Sequence, residues 1–141
     1  MPRIATHIVG TTPDESGATA LLPVGVIYTT DDPYALRFDF QVSVEEYLTW
    51  TISIELFEHA FSNPGRKFGH DAIVMFGYLV AETRNVVLLE LHSPEGTATV
   101  VLPAREMQSF IEQAQELATD DAKEEALNAM LGAITELLEE Q

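Results

Sequence analysis

Two periodicities run along this chain, one of two residues and one near 3.6, and they divide it. From Ala35 to Val42, Leu36, Phe38, Phe40 and Val42 share one face, and Arg37, Asp39 and Gln41 share the other. From Tyr47 to Ile54, Leu48, Trp50, Ile52 and Ile54 alternate with Tyr47, Thr49, Thr51 and Ser53. Strict alternation is the mark of a half-buried antiparallel strand. These two segments are expected to neighbour each other across a hairpin closed at Ser43–Glu46, with aromatics packing across the strands.

The strongest local signal is Asn85 to Arg105. Two apolar runs, Val86–Leu91 and Thr97–Leu102, flank Ser93, Pro94, Glu95 and Gly96. Pro94 pre-sets φ for a turn and Gly96 tolerates positive φ, so the stretch predicts a β-hairpin. Pro103 ends the second strand because it has no N–H to give a ladder, and it suits the start of a helix. Upstream, Ile4–Val9 predicts a first strand, Gly10–Gly17 a loop and Leu21–Tyr28 a second strand. Pro23 and Gly25 suggest that the second strand is an edge or carries a bulge. Thr29–Pro33 reads as a turn, Ser62–Asp71 as a loop, Ala72–Val80 as a strand broken at Gly77, and Ala81–Arg84 as a turn.

Helical spacing appears three times. Leu56, Phe57, Ala60 and Phe61 predict a short helix. Met107, Phe110, Ile111, Ala114 and Leu117 predict a second, after Pro103. Leu127, Met130, Leu131, Ile134, Leu137 and Leu138 predict a third, capped by Thr119 or Asp120 and acidic to Gln141. That last stripe must cover apolar surface, on its own sheet or on another subunit. Strands first and helices last give an α+β fold, antiparallel β-sheets packed with C-terminal helices. Residues 1–141 read as a single domain ending in an acidic amphipathic helix at about 120–141.

Charge narrows the partners. Across 141 residues, 23 acids face 7 bases, for a net charge of −16. Phosphate binding needs clustered Lys and Arg, and so does anionic lipid, so neither nucleic acid nor a membrane surface is an expected partner. No apolar run reaches the ~20 residues of a membrane span, so direct membrane insertion is not expected. The N-terminus lacks the apolar core of a secretory signal, so the chain is expected to be cytoplasmic.

Chemistry is sparse. Without cysteine, thiolate catalysis, disulfides and Cys-ligated zinc are excluded. His7, His59, His70 and His92 form no ligand pattern. Asp31–Asp32 and Glu45–Glu46 are adjacent pairs that point apart in extended chain. No nucleophile elbow or phosphate loop is present, and Arg66–Lys67 are the only adjacent bases. The expectation is therefore a non-enzymatic protein with no cofactor, no metal and no catalytic residue.

Several segments, in order, resemble the SsgA-like family of actinobacterial sporulation and cell-division proteins, its SsgB-type branch in particular. They are Leu22–Val24, Tyr28 through Asp32, Pro33, Tyr34 and Ala35, Glu45–Glu46 with Trp50 following, Leu56–Phe61, and Pro64–Gly65. The best is Leu91 through Ser93, Pro94, Glu95, Gly96 and Ala98, continuing to Pro103–Arg105 and Ser109–Phe110. Together they cover Leu21 to Ala114. The resemblance implies a sporulation-specific division protein, at division septa, that marks septum sites and promotes FtsZ recruitment or assembly. It implies FtsZ and other SsgA-like or membrane-associated division proteins as partners. It also implies a homotrimer on a fold similar to the whirly nucleic-acid-binding proteins, with Asp32, Pro33, Tyr34, Trp50, Ser93, Pro94, Glu95, Gly96 and Pro103 as family-motif positions, structural or partner-binding. The alternatives are a single-stranded nucleic-acid-binding module on that fold, or a small-ligand-binding protein.

Overall fold

A computed structural model describes residues 3–14, 16–63, 66–70, 73–80, 84–118 and 120–139. Eight described strands, β1 (Arg3–Pro13), β2 (Thr19–Thr29), β3 (Ala35–Gln41), β4 (Tyr47–Ser53), β5 (Lys67–His70), β6 (Ile73–Val80), β7 (Arg84–Ser93) and β8 (Gly96–Pro103), lie in the order β4-β3-β2-β1-β8-β7-β6-β5. Every described pairing is antiparallel. Three described helices accompany the sheet: α1 (Ile54–Ser62) between β4 and β5, then α2 (Ala104–Leu117) and α3 (Asp120–Glu139) after β8. The α+β expectation holds.

The sheet is two four-stranded halves joined at β1 and β8, where Thr11 pairs with Val101 and the Thr12 hydroxyl donates to the Thr99 carbonyl at 2.7 Å. Gly10 makes this junction possible. A Cβ there would stand 2.9 Å from the Val101 carbonyl oxygen and 3.1 Å from a Leu102 methyl, so no larger residue lets β8 come this close. Strand β1 therefore runs on to Pro13, and the reversal is the short Asp14–Ala18 turn instead of a loop from Gly10.

Inward residues of both halves form one core. Leu22, Val24, Val26, Tyr28, Leu36, Phe38, Phe40 and Ile52 meet Met75, Val87, Leu89, Leu91, Val100 and Leu102, all buried. Helix α1 contacts β3 and β4 in one half and β5 and β6 in the other. Its Phe57 stacks on Phe38 with centroids 5.6 Å apart. Burying such a side chain contributes about 2–3 kcal/mol. Helix α2 seals β1, β7 and β8 with Ala104, Met107, Phe110, Ile111 and Ala114. Gln115 ties it to α1, donating to the Glu58 carboxylate at 2.6 Å.

The hairpin of β7 and β8 pairs from Val86–Pro103 to Ser93–Gly96, with Gly96 at φ +140°. The predicted β3–β4 hairpin also forms, Phe38 opposite Trp50 and Leu36 opposite Ile52. Four further expectations need correction. Val42 and Leu48 are 46% and 52% exposed: Val42 lies past the end of β3, and Leu48 faces buried Phe40 but sits on edge strand β4, at the margin of the core. Strand β2 is interior and unbulged, and Pro23 fits there because described pairing to β3 begins one residue later, at Val24. Gly77 does not break β6; it pairs with Val87 in an unbroken register. Within the expected 62–71 loop lies edge strand β5, bent by Gly69 at φ +90°. Pro64, Gly65, Ala72, Ala81–Thr83 and Thr119, named in turn, loop, strand or cap expectations, lie outside the described residues, as do Met1, Pro2, Glu15, Asp71, Glu140 and Gln141.

Candidate interaction surface

The family-motif positions do not converge on one site. Asp32, Pro33 and Tyr34 make the corner between β2 and β3. Here the buried Tyr28 hydroxyl donates to the Pro33 carbonyl at 3.3 Å, and the Ile54 N–H that opens α1 donates to the Tyr34 carbonyl at 2.9 Å. Burial, then the neighbouring Asp32 and Tyr34, push the Tyr28 phenol up. Pro33 is buried and Asp32 exposed. Trp50 packs half-buried at the margin of the core. In the other half of the sheet, Ser93, Pro94, Glu95 and Gly96 form the exposed tip of the β7–β8 hairpin, where the Ser93 hydroxyl donates to the Gly96 carbonyl at 3.3 Å. Pro103 ends β8 opposite Val86 and precedes α2. Turn, core and junction account for each.

Two other surfaces stand out. The first is the outward face of β1–β4, which no described helix covers. Register aligns His7, Gly25, Asp39 and Thr49 across four strands, and beside them Ala5, Ile27, Arg37 and Thr51. A shallow groove of about 280 Å³ opens here, with Arg3, His7, Arg37, Asp39 and Tyr47 among its walls. Arg37 donates to Asp39 at 3.0 Å and the Thr49 hydroxyl donates to the same carboxylate at 2.8 Å. The Arg37 bond, with help from Thr49, holds the Asp39 carboxyl below its ordinary range. Exposed Val9, Leu21 and Tyr47 extend the face with apolar surface. No motif announced this groove. Its residues come from separate strands, and only the register assembles them.

The second surface is α3. Leu127, Met130, Leu131, Ile134, Leu137 and Leu138 are 47–67% exposed, so the stripe does not cover its own sheet. The helix meets the body near its start, where Lys123 Nζ lies 5.7 Å from the Tyr34 ring centroid. No described helix is long and apolar enough to cross a membrane.

The histidines scatter. His59 lies 3.2 Å from Glu55 on α1 and stacks on Phe68, while His92 Nδ1 lies 2.9 Å from Thr97 Oγ1. Among the described residues no three His, Asp or Glu side chains are grouped to hold a metal ion.

The family model described as Streptomyces sporulation and cell division protein, SsgA, matches residues 22–123. The chain belongs to the SsgA family. The sporulation-specific cell division protein SsgB of Streptomyces coelicolor is 30% identical over 92 residues, 65% of this chain and 64% of the relative. SsgB of Frankia casuarinae is 27% identical over 95 residues, 67% of this chain and again 64% of the relative. The chain thus matches just under two thirds of the length of each SsgB. The solved structure of S. coelicolor SsgB superposes with a TM-score of 0.77 at 23% identity, covering 89% of this chain and 95% of that one. An SsgA-like sporulation-specific cell division protein from Thermobifida fusca gives 0.78 at 20% identity, covering 96% of both. These likenesses establish the fold. Within the SsgA-family match lie β3 to β8, α1, α2, Arg37 and Asp39. Outside it lie Arg3, His7 and the whole apolar stripe of α3.

Proposed function

We infer that this SsgA-family chain is a non-enzymatic adaptor of sporulation-specific cell division. It acts at septa, marking the division site and promoting FtsZ recruitment or assembly, together with other SsgA-like or membrane-associated division proteins. In this reading it works as a homo-oligomer, a trimer. The observation that carries the reading is the exposed apolar stripe of α3 on a chain whose relatives are sporulation-specific cell division proteins. A helical stripe of that length calls for a partner surface. The groove holds one carboxylate already committed to Arg37 and Thr49, which suits recognition better than turnover.

The test is FtsZ assembly from the same organism, followed by light scattering and pelleting with and without the purified chain. Enhanced polymer or co-pelleting is expected. No enhancement and no co-pelleting from a folded oligomer would overturn the direct FtsZ role.

A further inference from the structure

The two edges of the described sheet are built differently. At one, β5 is four residues long, carries Lys67 and is bent by Gly69 at φ +90°. A short strand, a lysine and a kink are devices that keep an edge from pairing. At the other, β4 is seven residues, Tyr47–Ser53, with no charge, proline or glycine. Its Tyr, Trp, Thr and Ile are strong strand formers.

The ladder fixes which backbone groups are open. The Val42 N–H donates to the Glu46 carbonyl at 3.0 Å, and the Ile54 N–H donates to the Tyr34 carbonyl at 2.9 Å. Bonded and non-bonded pairs alternate along an antiparallel ladder, so in this register Leu48, Trp50 and Ile52 turn their backbone groups to β3. Tyr47, Thr49 and Thr51 then turn N–H and C=O away from it, and Ser53 its N–H. These four residues are exposed, and among the described residues no other backbone group is bonded to them. Their side chains lie on the outward face. Leu48 and Trp50 lie on the core side, Leu48 52% exposed and Trp50 half-buried at the core margin.

We propose that the β4 edge docks an extended segment of a partner protein, which joins the sheet as a further strand. The edge specifies the segment. Beside Leu48 and Trp50 it places apolar side chains, and beside Thr49 and Thr51 small polar ones, so its middle alternates. Acids stand at both ends of the strand: Glu45 and Glu46 directly before it and Glu55 two residues after it, all exposed. His59 lies 3.2 Å from Glu55, and Arg37, one strand in, is already bonded to Asp39. The segment is therefore uncharged in its middle and ends in Lys or Arg. The same acids count against a second copy of this chain. Antiparallel pairing of β4 with β4 would set Glu45 and Glu46 of each copy towards Glu55 of the other. This inference goes beyond the adaptor reading and stands or falls without FtsZ.

Trp50 is the chain's sole tryptophan and lies on the edge strand, so its emission reports the site in the full-length chain. The probe is a synthetic peptide with blocked ends, Lys-Lys-Thr-Val-Thr-Val-Thr-Val-Thr-Lys-Lys, titrated in while Trp50 emission is followed. A saturable blue shift is expected as the added strand covers the indole. The same peptide N-methylated along its Thr-Val core keeps the charge and loses the ladder, and should bind at least about tenfold more weakly. The peptide with Glu in place of Lys should weaken to a similar degree. In the protein, Thr51→Pro removes an N–H that faces away from β3, where an edge strand tolerates proline, and should bring the same loss. Circular dichroism checks that this variant folds; if it does not, the N-methylated peptide carries the test. No saturable shift overturns the proposal. Equal binding of the N-methylated peptide overturns it as well, since that is mere attraction of a basic peptide to an acidic protein. Equal binding of the Glu-ended peptide overturns the basic-ended occupant. A native oligomer that dissociates on Thr51→Pro, read by light scattering, would place a second copy on this edge and overturn the partner segment.

Discussion

Helices α2 and α3 carry the same sequence signal and have opposite fates. In α2, Met107, Phe110, Ile111 and Ala114 are each at most 3% exposed against the sheet. In α3, the equivalent stripe stays 47–67% exposed. Apolar spacing near 3.6 residues states that a helix has a face needing cover, and is silent on what covers it. For α2 the answer is supplied by chain connectivity. Pro103 ends β8 and starts the helix at once, so its first turn can only fall back on the strands beside it. Among the described residues, helix α3 has no such tether beyond its first turn at Tyr34.

The sharpest way to break this comparison is to remove the same kind of group from both helices. Phe110→Ala empties a site in the core, and a buried Phe lost this way costs about 3–5 kcal/mol. Leu131→Ala should change the unfolding free energy of the dilute chain by less than about 0.5 kcal/mol, while reducing its association at high concentration. Urea unfolding at two protein concentrations separates the two. A large cost for Leu131→Ala in the dilute chain would mean that α3 packs on its own body after all.

The two sheet halves differ in how much of them was legible. The β7–β8 hairpin could be read because strand, turn and stop signals agree within twenty-one residues, Asn85 to Arg105. The β3–β4 hairpin was legible in register but not at its tip, since alternation assigns a face and does not say where the core beneath that face ends. Val42 and Leu48 are the result. Strand β5 had no alternation to show, being Lys67, Phe68, Gly69 and His70, and its pairing to β6 is held by tertiary context. Pro23 and Gly25 misled because their cost depends on which neighbour pairs at each residue. The groove was the least legible feature. Arg3, His7, Arg37 and Asp39 carry no motif, and only the register that sets His7, Gly25 and Asp39 side by side makes them one surface. The motif positions were legible as positions, yet the Asp32–Tyr34 corner and the Ser93–Gly96 tip belong to different halves.

Glycines sharpen the same contrast between constrained backbone and open surface. At Gly69, φ is +90° and a Cβ would stand 2.5 Å from the Ile73 carbonyl oxygen. Gly69→Ala should therefore cost about 1–3 kcal/mol, read as a lower urea midpoint. Gly25 lies on the groove floor, where a Cβ would meet Asp39 and His7 at 3.8–3.9 Å, ordinary contact distance. Gly25→Ala should fold with near-native stability and serve as a mild obstruction of the groove. Equal losses at the two positions would show that the floor of the groove is as tightly packed as the backbone around Gly69.

The smallest expected effect tests whether the groove's charges matter to the fold at all. Arg37, first among its neighbours, holds the Asp39 carboxyl low, with Thr49 assisting and partial burial opposing. A carboxyl lowered in the folded state contributes stability that is fully present above its unfolded value, ~3.9. That contribution is lost as pH falls through the lowered folded value. The Arg37 side chain is 53% exposed and Asp39 22%, so the pair is screened by solvent and contributes under about 1 kcal/mol. Asp39→Asn should accordingly lower the urea midpoint slightly at pH 7 and converge with the native chain in acid, below the folded value. A difference that persists or grows in acid would point to the geometry of the Thr49 bond instead of the carboxylate's charge. A loss well above 1 kcal/mol at pH 7 would make this face part of what holds the fold.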